Sequence, residues 1–139
     1  ISHSQLAGRG VALCGVRPAE GGMVLELEAW LGPEQGNQLW PGIVDEDEWG
    51  RLEAGARALG LDRARGLTLV FSAKESLFKA LHPRVGRYFD FLDARWLGMT
   101  AQSLTLELKV PLTPTLPAGW RCTLHWQPLP GGVLTTLLL

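Results

Sequence analysis

Apolar and polar residues alternate through positions 23–28: Met23, Leu25 and Leu27 are apolar, and Glu26 and Glu28 fall between them. Period two predicts a strand with one buried face, and the alternation makes Leu25 and Leu27 its anchors in the core. A short apolar run at 11–16 predicts a strand before it, and 17–22, with Pro18 and the Gly21-Gly22 pair, a turn. Positions 32–41, rich in Gly, Pro, Asn and Gln, read as a loop. The period then changes. Trp49, Leu52, Ala56 and Leu59 recur at helical spacing behind Asp45, an N-cap residue, and the acids Glu46, Asp47 and Glu48 suit the positive end of a helix dipole. This predicts a helix over 45–59 that ends at Gly60. A second helix is predicted over 63–81, with Leu69, Val70, Ala73, Leu77, Ala80 and Leu81 on or near one face and Pro83 and Gly86 ending it. Beyond it, 89–96, 103–110, 120–127 and 133–139 read as strands, 111–119 as a loop, and 128–132 as the turn of an antiparallel hairpin. Two strands, two helices and four strands in that order predict an α+β fold.

Composition narrows the function classes. The chain is 46% hydrophobic and 19% charged, which supports a real core and excludes disorder. A net charge of −1 gives no electrostatic footprint for nucleic acid. No apolar run reaches the roughly 20 residues of a spanning helix, and the terminal 133–139 run reads as a buried strand. The two cysteines, Cys14 and Cys122, form no CxxC and read as reduced thiols of a cytoplasmic protein. The chain begins at Ile1, in what reads as the middle of a strand, so a fragment of a longer protein is expected.

The residues that offer chemistry are acidic. Glu26 and Glu28, two apart on a strand, project to the same face. Two like charges there need solvent, a basic neighbour or a hard cation. A solvated strand face satisfies the pattern as well as a metal site does. Glu75 and Lys79 are i and i+4 on the second helix, either a surface pair or a metal ligand with a phosphate contact. Ser72-x-x-Glu75 also has the form of a capping box. His3, between Ser2 and Ser4, is placed either as a phosphate ligand or as a surface residue. His82 and His125 have no partners in sequence. No GxSxG, P-loop or HExxH is present.

The segment Phe71-Ser72-Ala73-Lys74-Glu75-Ser76-Leu77-Phe78-Lys79 resembles the aromatic-x-x-Lys-Glu-Ala/Ser-x-x-Lys signature of the 4′-phosphopantetheinyl transferase superfamily at every defined position. Ile1–Ser4 is similar to that family's Ser-His segment. Positions 41–48 resemble the acidic helix start of the larger, siderophore- and peptide-synthetase class, in its enterobactin-synthetase branch. The metal strand departs from the pattern: Val24-Leu25-Glu26-Leu27-Glu28 stands where the family has Gly-Ile/Leu-Asp-Ile/Leu-Glu. Glu26 thus carries its carboxylate one methylene further out than the usual Asp.

The resemblance implies an antiparallel sheet packed by two main helices, with residues 1–139 as the C-terminal half of a pseudo-dimer. The first half, which supplies basic residues to the nucleotide, is missing apart from the Ser-His segment, so the partner is that half or a second copy of the chain. It further implies transfer of 4′-phosphopantetheine from coenzyme A to a serine of an apo acyl or peptidyl carrier protein, releasing 3′,5′-bisphosphoadenosine. Mg²⁺ would be held by Glu26, Glu28 and Glu75. Lys79 and Lys74 would face the phosphates, with Ser2 and His3 on the nucleotide. The base would be Glu75 or a metal-bound water. Arg84, Arg87 and residues 88–91 would form a docking surface for an acidic carrier, unless Phe89 and Phe91 are core residues of a strand. A catalytically impaired carrier- or partner-binding module of the same fold is the alternative.

Overall fold

The computed structural model describes residues 4–6, 9–11 and 23–139. Strand β1 (Ser4–Leu6) pairs antiparallel with β2 (Arg9–Val11). Of the run expected at 11–16, only Val11 lies among the described residues, and the turn at 17–22 lies outside them. Strands β3 (Met23–Ala29), β4 (Ala94–Met99), β5 (Ser103–Leu108), β6 (Arg121–Leu129) and β7 (Gly132–Leu138) form a second sheet. Its spatial order is β3-β7-β6-β5-β4, every neighbouring pair antiparallel, so β3 stands at one edge. The β6–β7 connection is the expected hairpin, with Gly131 at φ +85° in its turn.

Register decides which side chains share a face. Glu26 pairs with Thr135 and Thr135 with Trp126, which places Val24, Glu26 and Glu28 on the face that carries Val133, Leu137, Leu124, Leu104, Leu106 and Trp96. That face is the core side. The two glutamates of β3 therefore point toward the helices, against expectation, while Leu25 and Leu27 lie on the other face, where Leu27 is buried as an anchor and Leu25 only half-buried. Period two says which residues share a face but not which face is covered. Of the three α-helices among the described residues, α2 (Glu46–Arg57) and α3 (Arg63–Val85) pack on the core side, and α1 (Pro33–Leu39) packs on α3.

Helix α1, with a 3₁₀ turn over Trp40–Gly42, replaces the loop expected at 32–41. Pro33 is preset for the first helical position. The Gln35 side chain accepts the Gly32 N–H, and Gly36 fits against Ala64, where a Cβ would come within 3.3 Å of the Ala64 Cβ. In α2 the N-cap is Asp45, as expected, and Glu48 returns a bond to the Asp45 N–H in a full capping box. The N-cap of α3 is Asp62, accepting the Arg65 N–H, so Ser72 is not a cap but lies in mid-helix. The helix also runs past 81: Pro83 removes one N–H near the end, yet a further turn forms and stops at Gly86, whose φ of +68° suits a residue without Cβ. Gly66 brings α3 close to α2; a Cβ there would sit 2.7 Å from the Ala56 Cβ.

The strand expected from 89 begins only at Ala94. Asp90 accepts the Leu92 N–H and Asp93 accepts the Asp90 N–H, and these local bonds curl Phe91–Asp93 into a 3₁₀ turn. No helix among the described residues is long and apolar enough to cross a membrane.

Candidate functional site

Helix α3 crosses the edge of the sheet where β3 and β7 run. Two small hydroxyl residues let it come close: Ser72 and Ser76 meet the Thr135 hydroxyl at 2.8 and 3.0 Å, and all three are fully buried. Because Thr135 is the register partner of Glu26, this contact sets Glu26 beside the helix. Glu75 and Lys79, one turn apart, then overlook Glu26 and Glu28. The result is a cluster in which a carboxylate oxygen from each of Glu26, Glu28 and Glu75 lies within 4.8 Å of the others. Lys79 completes it, its Nζ 2.9 Å from Glu26 Oε2.

Glu26 is buried, at 3% exposure, while Glu28 and Glu75 are half-buried. Burial pushes the Glu28 carboxyl from 4.5 up to about 7, helped by repulsion from Glu75 and Glu26 and opposed by Lys79. Burial also raises Glu75, with repulsion from Glu26 adding to it and Lys79 opposing. The cluster is thus short of positive charge. Oxygen donors at this spacing suit a hard cation: an octahedral Mg²⁺ with bonds of ~2.0–2.1 Å places its ligand oxygens about 2.9 to 4.2 Å apart, a small closure from the geometry here. Glu26, with its extra methylene, still reaches the common point.

These charges have a measurable sign. The unfolded chain releases the Glu28 proton near 4.5 and the folded chain holds it to about 7. The stability from this group is therefore complete below 4.5 and is lost as pH rises through 7. The thermal midpoint of the chelator-treated chain is expected to fall between about pH 5 and about pH 8, and Glu28→Gln should flatten that slope. A midpoint that climbs across this interval contradicts the electrostatics described here.

Beside the cluster opens a cleft of about 340 Å³ lined by Glu75, Phe78, Lys79, Tyr88, Phe89, Asp90 and Phe91. Phe78 packs its ring on Phe89 at 4.7 Å, and Phe91 meets Phe71 edge-on at 5.5 Å. Phe89 is a core residue, as the alternative reading had it, but neither it nor the half-buried Phe91 lies in a strand, and both also line the cleft beside the exposed Tyr88. Arg87 donates to the Pro111 carbonyl at the surface.

Lys74 is not in this site. Its ammonium is buried, ion-paired to Glu48 at 3.1 Å, and donates to the carbonyls of Ile43 (2.8 Å) and Phe91 (2.9 Å). With these acceptors its three N–H bonds are used, so the phosphate contact expected for it is corrected to a structural role. Ser2 and His3 lie outside the described residues. Glu48, in sequence only one of three acids suited to the helix start, is a buried group: it accepts the Trp96 N–H at 2.7 Å and shows no exposure. The Asp45-x-x-Glu48 spacing of a capping box was its one signal in the sequence. Nothing in the sequence announced the Ser72–Thr135–Ser76 cluster. Burial pushes the Cys122 thiol up to about 12, which removes it as a nucleophile; Cys14 lies outside the described residues.

A model of the 4′-phosphopantetheinyl transferase superfamily matches residues 28–130, a stretch that holds Glu28, Glu75, Lys79 and the whole cleft. The chain is also similar to enterobactin synthase component D of Salmonella typhimurium (strain LT2), at 33% identity over 92 residues. That match covers 66% of this chain and 37% of the relative, so the chain spans little more than a third of that protein. With most of its length matched by the family model, and with the α+β fold described above, the chain belongs to the 4′-phosphopantetheinyl transferase superfamily.

Proposed function

We propose that this chain carries the metal-binding and base half of a phosphopantetheinyl transferase site, which moves 4′-phosphopantetheine from coenzyme A to the serine of an apo-carrier protein. The observation that carries the reading is the convergence of Glu26, Glu28 and Glu75 within 4.8 Å, next to Lys79 and an open aromatic cleft. Glu26, Glu28 and Glu75 would hold Mg²⁺, whose chemistry is to offset charge on a diphosphate and its leaving group. Lys79, partly exposed on a flexible stem, adds positive charge to the same phosphates. Glu75 faces both the cluster and the cleft, and burial raises its proton affinity, the direction a general base needs. It takes the proton of the carrier serine as the serine oxygen attacks the β-phosphorus. The bond to 3′,5′-bisphosphoadenosine breaks, and the new phosphodiester stays on the carrier. The cleft of Phe78, Phe89 and Phe91, with Arg84 and Arg87 nearby, offers an apolar and basic approach for a small acidic carrier.

The test is incubation with coenzyme A, Mg²⁺ and an apo-carrier, with and without the N-terminal part of the Salmonella relative, followed by mass spectrometry of the carrier. The expected result is a carrier heavier by one phosphopantetheine. A carrier at its apo mass in both arms overturns the transfer reading. Coenzyme A bound without transfer assigns the chain instead as a binding module.

A further inference from the structure

Lys79 presents its ammonium to Glu26 rather than to solvent, although its side chain is 38% exposed and water is within reach. The reason is Glu26. Its side chain is 3% exposed, and a carboxylate so buried is costly without a cation or donors beside it. With Glu28 and Glu75 pressed against it, the cluster carries up to three negative charges at one point. Lys79 answers part of that deficit from 2.9 Å off one of the three carboxylates. An ammonium 2.9 Å from one of the three ligands repels any divalent cation that enters. Lys79 lines the cleft, and its flexible four-carbon stem lets the same ammonium turn toward an anion there without moving the helix.

We propose that Lys79 is a resident counter-ion of the carboxylate cluster, holding the place of a divalent cation and making that cation's binding conditional on a diphosphate. The inference rests on the reading of the cluster as a cation site and adds its regulation. A diphosphate draws Lys79 off Glu26, and the freed carboxylate then takes the metal. Metal and diphosphate consequently bind with positive coupling, and by linkage each raises the affinity of the other by the same factor. The site stays closed to stray divalent ions until a diphosphate arrives.

The experiment is titration of the whole chain with Mn²⁺ alone at about pH 8, followed by its paramagnetic signal. Lys79→Met is expected to bind Mn²⁺ roughly tenfold tighter than wild type, within the usual range of coupling between sites. Lys79→Gln, which keeps a hydrogen bond to Glu26 without charge, should show the same direction should the Met variant fold poorly. Lys79→Arg, which keeps the charge, should stay near wild type. Adding inorganic pyrophosphate should tighten Mn²⁺ binding more in wild type than in Lys79→Met or Lys79→Gln, after correction for the complex the two form in solution. Neutral variants that bind Mn²⁺ no tighter than wild type overturn the counter-ion role while leaving the cation site standing. Absence of Mn²⁺ binding in every variant, with Glu28→Gln indistinguishable from wild type, overturns the cation site and this inference with it.

Discussion

Glu75→Gln is expected to cut carrier modification by about 10²–10⁴-fold, the loss typical of a positioned general base, while leaving the protein at least as stable as before. The two halves of that expectation come from one cause. Glu75 is raised by burial and by repulsion from Glu26, so its ionised form is held against a local field. Glutamine has nearly the same shape and no charge. It relieves the repulsion on Glu26 and Glu28 and removes what the proposed mechanism uses as its base and as one cation ligand. Transfer by mass spectrometry and urea unfolding on the same preparation check the pair of effects. A variant that transfers at the wild-type rate removes Glu75 from the mechanism. A variant that unfolds much more easily shows that the residue served the fold. Functional sites that hold unfavourable charges commonly gain stability when those charges are removed.

The second large effect concerns stability alone. Lys74→Met should lower the unfolding free energy by about 3–5 kcal/mol, because it strips the counter-ion from a carboxylate with no exposure to water. Glu48 would keep its bonds from the Asp45 and Trp96 N–H groups and lose its cation, and the carbonyls of Ile43 and Phe91 would lose their donor. The double variant Lys74→Met/Glu48→Gln should regain part of the loss and no more. An amide offers one oxygen where the carboxylate offers two, and its NH₂ would face a backbone N–H. Urea midpoints of the single and double variants measure this, and a loss below about 1 kcal/mol for Lys74→Met would show that the pair is not needed for the fold. Wherever Lys74→Met remains folded, it should bind Mn²⁺ and pyrophosphate as wild type does, in contrast to Lys79→Met. Two lysines five residues apart in one signature thus have separate assignments: one fastens the helix to α2 and to the turn at Phe91, the other faces the carboxylates.

Much of the fold is legible because its signals are local. Asp45 and Glu48 bracket the start of α2, and Leu69, Ala73, Leu77 and Leu81 keep helical spacing through α3. Alternation in β5 and the Pro130-Gly131 turn before β7 predict strands and a hairpin that form. The errors are local contests of another kind. Gly36 in α1 reads as a helix breaker, yet it is the residue that lets α1 lie against Ala64. Phe89–Asp93 reads as strand from its aromatics, yet two aspartates bond to nearby backbone and curl it. Pro83 reads as a stop, but so close to Gly86 it costs one hydrogen bond and shortens nothing.

The sequence by itself determined that Glu26 and Glu28 share one side of a strand, that Glu75 and Lys79 share one side of a helix, and that these segments carry the pattern of a transferase family. Only the tertiary structure decided that those two sides face each other. Periodicity is a property of one element and is blind to its neighbour, so the glutamates of β3 had equal claim to solvent and to the helix. The choice was made by side chains distant along the chain: Thr135 receiving Ser72 and Ser76, and Glu48 receiving Lys74. Those contacts set the height and rotation of α3 over the sheet, and with them the meeting point of three carboxylates.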